Sequence, residues 1–173
     1  MANFKEKLKN IKAFAFDVDG VWTNGSVYID SQGKQMRTTN AKDGYAVHYA
    51  AKLGYKFAII TGGKCESLIS RFHDLGIDDV YTEAKDKTIQ LEEFKAKYNL
   101  KPQEIMYMGD DIPDYRVMKK CGLKACPADA VFEIQEISDY ISIKEGGNGC
   151  VRDVVEQTLR AQNNWLKKEA FTW

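Results

Sequence analysis

Apolar positions along this chain cluster in short runs separated by amphipathic stretches. Residues 13–16, 57–60, 80–81, 105–108, 123–126 and 140–143 form largely apolar runs of the length and bounding expected of buried strands. Between them, residues 45–53, 66–75, 87–98, 115–120, 132–136 and 151–162 read as helices. In the first of these Ala46, Tyr49, Ala50 and Leu53 share one face, and Gly54 ends it. Residues 27–29 and 35–39 read as two further strands joined by Asp30-Ser31-Gln32-Gly33, a turn-forming run. Strands alternating with helices predict an α/β fold, a parallel sheet covered by helices on both faces. The hairpin, residues 21–40, is an insert directly after the first strand. It is too small to fold alone, so it is expected to pack on the domain or on another subunit. No repeat or linker divides the chain, which predicts a single domain over residues 1–173. Residues 163–173 form a tail that either docks on a neighbour or is disordered.

Three strands end in polar residues that packing does not require: Asp17 and Asp19 after the first, Thr61-Gly62-Gly63 after the second long run, and Asp110-Asp111 after 105–108. In a parallel sheet, ligands bind beyond the carboxyl ends of the strands. Side by side, these ends crowd four carboxylates into one crevice, and like charges that close require a cation. An all-oxygen set with room for water and phosphate suits Mg²⁺. Thr61 and the N–H groups after it, at a loop opening a helix, can hold phosphate oxygens. Lys87 can add a positive charge. These parts describe phosphoryl transfer: Asp17 as nucleophile, Asp19 as the acid that protonates the leaving oxygen and then the base that activates water. A calcium loop counted from Asp17 fails, because Trp22 and Tyr28 stand where glycine and glutamate are needed. Each motif alone also suits a solvated strand-end turn; their occurrence together favours the chemistry.

The four motifs, Asp17-Val18-Asp19-Gly20-Val21, Thr61-Gly62, Lys87 and Gly109-Asp110-Asp111-Ile112-Pro113-Asp114, occur in the order seen in haloacid dehalogenase-like phosphatases, which the chain resembles. That resemblance implies a Rossmann-like fold. It implies Mg²⁺ held by Asp17, the Asp19 backbone carbonyl and Asp110, with Asp111 supporting and Asp114 orienting Lys87. The hairpin insert, Asn40-Ala41-Lys42-Asp43-Gly44-Tyr45 and Gly146-Gly147-Asn148-Gly149-Cys150-Val151-Arg152-Asp153 further resemble the 3-deoxy-D-manno-octulosonate 8-phosphate (KDO 8-phosphate) phosphatases, over nearly the whole chain. This implies a homotetramer without a large cap domain, in which neighbours close each active site, and a place in lipopolysaccharide synthesis. The sugar site would fall on Asn40, Ala41, Lys42, Asp43, Gly44, Arg71 and Lys87, with Asp19 and Gly62 beside the phosphate. The chain departs from the pattern at three places. Gly63 stands where many relatives have arginine, with Lys64 following as a replacement cation. His48 stands where relatives often have arginine, and Trp22 replaces a common leucine. The alternatives are a nonulosonate 9-phosphate phosphatase on the same tetramer, and a non-catalytic scaffold, whose signature would be a broken motif.

Charge and cysteine content narrow the setting. Lys and Arg number 25 and so do Asp and Glu, so no global field recruits nucleic acid or an anionic membrane. No apolar stretch reaches the ~18 residues of a membrane span. Cys65, Cys121, Cys126 and Cys150 lack zinc or redox spacing and read as reduced thiols in a cytoplasmic protein. His73 reads as structural, and Trp165 and Trp173 as packing or interface residues.

Overall fold

A computed structural model of the chain describes residues 3–64 and 66–172; Cys65 and Trp173 lie outside it. In chain order the elements are α1 (Phe4–Lys7), β1 (Ala13–Phe16), β2 (Tyr28–Ile29), β3 (Gln35–Met36), α2 (Ala41–Lys52), β4 (Lys56–Ile60), α3 (Glu66–Asp74) and β5 (Asp79–Tyr81). Then follow α4 (Lys87–Tyr98), β6 (Ile105–Met108), α5 (Tyr115–Met118), β7 (Leu123–Cys126), α6 (Phe132–Ile137), β8 (Tyr140–Ile141) and α7 (Cys150–Ala161). Six strands form one parallel sheet in the order β5-β4-β1-β6-β7-β8, and β2 and β3 pair antiparallel as a separate hairpin. The chain runs outward from β1 through β4 to β5, then returns to the other side of β1 with β6. That reversal opens a crevice at the carboxyl ends of β1, β4 and β6.

The two sheet faces follow from alternation along β1. Phe14 and Phe16 point to one side, where they meet Phe57, Trp22 and the apolar faces of α2 and α7. Ala13 and Ala15 point to the other, where their small size lets Leu91 and Phe94 of α4 lie close, with Tyr107 and Met118. All four β1 side chains are buried, so the strand reads as continuous apolar sequence.

Several boundaries differ from the sequence pattern for identifiable reasons. Helix α2 starts four residues early because the Asn40 side chain caps it, accepting from Lys42 N–H at 2.9 Å, so Gly44 lies inside the helix. The hairpin strands shrink to two residues each, the turn being held by Asp30 Oδ1, which accepts from Gln32 and Lys34 N–H. The charged N-terminal segment contains a short helix, and Phe4 stacks on Tyr140 at 4.3 Å. The tail docks on its own subunit: Tyr49 Oη donates to the Asn164 carbonyl at 2.6 Å, Tyr45 Oη to the Ala170 carbonyl at 2.6 Å, and Trp165 packs edge-on against Tyr49. Cys121, Cys126 and Cys150 are free and buried, and burial raises each thiol's pKa, holding it protonated. No helix among the described residues is long and apolar enough to cross a membrane.

Candidate active site

Strand β1 delivers Asp17 into a cleft of about 530 Å³ whose walls include Asp19, Thr61, Gly62, Lys87 and Asp110. Asp17 is 9% exposed. Its Oδ1 accepts from Val18 N–H at 2.7 Å, and its Oδ2 lies 2.9 Å from Lys87 Nζ. Lys87 opens α4 behind Asp86, whose side chain caps the helix. Its ammonium is buried and bridges Asp17 and Asp114, the latter at 2.7 Å. Asp114 also accepts from Tyr107 Oη at 2.8 Å and, through Oδ2, from Asp110 N–H at 3.2 Å. With both oxygens committed, Asp114 aims Lys87 and Asp110 rather than facing the cleft. On the opposite wall, Thr61 follows β4, and its Oγ1 accepts from Gly63 N–H at 3.1 Å.

The electrostatics call for a cation. Burial, together with the Asp114 charge, raises Asp17 to about 7 despite the opposing pull of Lys87. Burial, then Asp17 and Asp114, raises Asp110 to about 8. Burial alone would lower Lys87, but Asp114 and Asp17 outweigh it and raise the amine. Oxygens of Asp17, Asp110 and Asp114 lie within 4.8 Å of one another, and Asp110 Oδ1 is buried without a hydrogen-bond partner. An orphaned buried carboxylate oxygen is costly unless something positive meets it. The donor set is all oxygen and fits a hard divalent cation between Asp17 and Asp110. Gly20 is required beside it: its φ is +89°, and a Cβ there would meet Asp110 Oδ2 at 2.0 Å. Gly146 answers to the same loop, since a Cβ on it would lie 2.0 Å from the Gly20 carbonyl oxygen.

Known proteins resemble this chain over most of its length. A family model described as haloacid dehalogenase-like hydrolase matches residues 79–152. The 3-deoxy-D-manno-octulosonate 8-phosphate phosphatase KdsC of Escherichia coli is 35% identical over 93% of this chain and 86% of its own length. The chain belongs to the KDO 8-phosphate phosphatase family of haloacid dehalogenase-like hydrolases. The crystal structure of the KDO 8-phosphate phosphatase of Yersinia pestis superposes with a TM-score of 0.92 at 32% identity, covering 94% of this chain and 88% of that one. That of Moraxella catarrhalis, solved with magnesium, phosphate and KDO, gives a TM-score of 0.90 at 33% identity over 94% and 93%.

Against this family frame, the structure gathers Asp17, Asp19, Thr61, Gly62, Gly63, Lys87, Asp110 and Asp111 around one cleft. Asp111 is exposed there and caps the turn that follows, accepting from Ile112 N–H at 2.7 Å. The residues expected to hold the sugar are placed otherwise. Asp43 is fully buried; its Oδ1 accepts from Arg152 N–H at 2.7 Å at the start of α7, so it anchors that helix and lies outside the cleft walls. Asn40 spends its side chain on the α2 cap. Ala41 and Lys42 are exposed on the first turn of α2, outside the cleft walls. Gly44 lies against Arg71, whose Nη2 sits 2.8 Å from where a Cβ would stand. His48 lies two turns down α2 and lines a different cavity with Lys52, Lys56 and Asp78, which the start of β4 borders. None of these reaches this chain's own cleft. Lys64 is exposed, 3.7 Å from Glu83. Sequence reasoning missed Tyr107, whose ring is hidden in an apolar strand, and Arg37, whose guanidinium pairs with Asp19 at 2.6 Å from the hairpin.

The raised carboxylates make a pH-dependent prediction. Asp17 and Asp110 hold protons in the folded protein at pH values where the unfolded chain has lost them. Metal-free stability therefore falls as pH rises from about 4 to about 8. A divalent cation displaces those protons, so the increase in Tm on adding Mg²⁺ should be larger at pH 8 than at pH 5.5, as read by calorimetry.

Proposed function

We propose that this chain hydrolyses KDO 8-phosphate to KDO and inorganic phosphate with Mg²⁺, through a phosphorylated Asp17. The observation that carries the reading is Asp17 itself: a nearly buried carboxylate at the end of the central strand, held by Lys87 and open to a cleft that also receives Thr61 and Asp110. Asp17, the Asp19 carbonyl and Asp110 would hold the metal, which when bound neutralises phosphate charge and so lets an anionic nucleophile approach. Asp17 attacks phosphorus through the oxygen not committed to backbone. Lys87, Thr61 and the N–H groups after it hold the phosphoryl oxygens. Asp19 gives its proton to the departing sugar oxygen and then takes one from the water that cleaves the aspartyl-phosphate.

The sugar lies beyond Gly63. A groove of about 620 Å³ runs there between the hairpin and the loop after β4, and Lys34 and Lys64 on its walls suit the carboxylate of a sugar acid. Val27, Tyr28, Ile29 and Met36 leave the hairpin with an exposed apolar surface. That surface supports assembly through the hairpins into a homotetramer of single-domain subunits. Purified protein should release phosphate from KDO 8-phosphate in Mg²⁺, stop when the metal is chelated, and resume when Mg²⁺ is restored. Undiminished release in excess chelator would refute the metal's part.

A further inference from the structure

Among the cleft carboxylates, Asp19 is loosely held by its own loop. Its side chain is 33% exposed, and Thr23 Oγ1 reaches its Oδ1 only at 3.5 Å. The firm hold comes from the hairpin. Arg37, just after β3, closes a fork on the carboxylate: Nε donates to Oδ1 at 2.6 Å and Nη2 to Oδ2 at 3.0 Å. Its Nη1 donates to the Lys64 carbonyl at 3.4 Å, so the guanidinium also spans to the loop after β4. The Arg37 side chain is 4% exposed. Gly63 lies beside the fork: a Cβ there would stand in ordinary contact with it, 3.5 Å from Nη2 and 3.4 Å from Asp19 Oδ2.

We propose that Arg37 is a positioning residue for the acid/base step, fixing the direction of the Asp19 carboxyl group so that it faces the leaving oxygen. The inference rests on the role given to Asp19 above. As the P–O bond breaks, the leaving oxygen takes the Asp19 proton together with the bond's electron pair, and Asp19 is left as a carboxylate. A planar guanidinium donating to both oxygens matches that form. The hairpin thereby takes part in the chemistry of its own subunit.

The test is leaving-group dependence. p-Nitrophenolate departs without a proton, phenolate benefits from one, and a sugar alkoxide depends on it. In Arg37→Met, kcat/KM for KDO 8-phosphate should fall by about 10²-fold, with phenyl phosphate affected less and p-nitrophenyl phosphate within roughly threefold of wild type. Arg37→Lys, a point charge without the fork, should fall between. Equal losses on all three esters would overturn the proposal, as would a raised KM for KDO 8-phosphate at unchanged kcat. The two aryl esters decide the point even if wild-type protein leaves KDO 8-phosphate intact. That outcome would remove the substrate assignment alone.

Discussion

Replacing Asp17 by Asn should lower phosphate release by at least about four orders of magnitude while leaving the fold intact. A carboxamide cannot attack phosphorus, and the neighbouring carboxylates are placed for other work. Asp114 is committed to Lys87, Tyr107 and the Asp110 backbone, and Asp19 sits on the side of the cleft that Arg37 commands. The substitution is nearly isosteric, and the amide oxygen can still accept from Val18 N–H as the Asp17 Oδ1 does. Stability should hold or rise in metal-free buffer. Burial and the Asp114 charge push the Asp17 carboxyl up to about 7, so its ionised form opposes folding at neutral pH, and a neutral amide removes that opposition. Lys87 keeps Asp114 as its partner. Phosphate assays and urea unfolding on the same preparation check both halves. Early unfolding of the Asp17→Asn protein would show that the Lys87–Asp17 contact is structural first.

Lys87→Met should damage both activity and stability. The Lys87 side chain is 4% exposed, and its ammonium is the cation shared by Asp17 and Asp114. Without it the buried carboxylates face one another unpaired, a change that costs about 3–5 kcal/mol where one partner of a buried ion pair is deleted. The phosphoryl group also loses a preorganised positive charge, worth about 10²–10³-fold in kcat. Added Mg²⁺ should recover part of the stability, because it meets the same negative charge, and little of the rate. Lys87→Arg should not rescue activity, since a fork does not fit a pocket built for a point charge between two carboxylates. Denaturation with and without Mg²⁺, beside steady-state kinetics, separates the two effects.

Asp17, Thr61, Lys87 and Asp110 were legible in the sequence because each follows a buried strand or opens a helix. Such positions announce themselves: Phe14-Ala15-Phe16 leads into Asp17, and Ile105-Met106-Tyr107-Met108 into Gly109-Asp110. Parallel pairing of β1 with β4 and β6 then brings the ends together without further information. The residues assigned to the sugar lie outside the cleft walls, and their placement depends on what α2 meets. Asp43 looks like an exposed polar residue beside a glycine, yet the start of α7, over a hundred residues later, arrives on top of it. His48 follows the turn of the helix to its far half. Arg37 is a tertiary event: nothing local says that a hairpin arginine folds back 18 residues to a strand-end aspartate. The short α1 helix escaped notice for a similar reason, since it is fixed by Phe4 against Tyr140 at the other end of the chain.

Substrate identity is the claim that the cleft's phosphate chemistry leaves to the groove beyond Gly63. The direct measurement is kcat/KM in Mg²⁺ for KDO 8-phosphate and for a nine-carbon nonulosonate 9-phosphate, assayed side by side. KDO 8-phosphate should be preferred by at least about tenfold. A preference for the 9-phosphate, or equal turnover of both, would contradict the assignment.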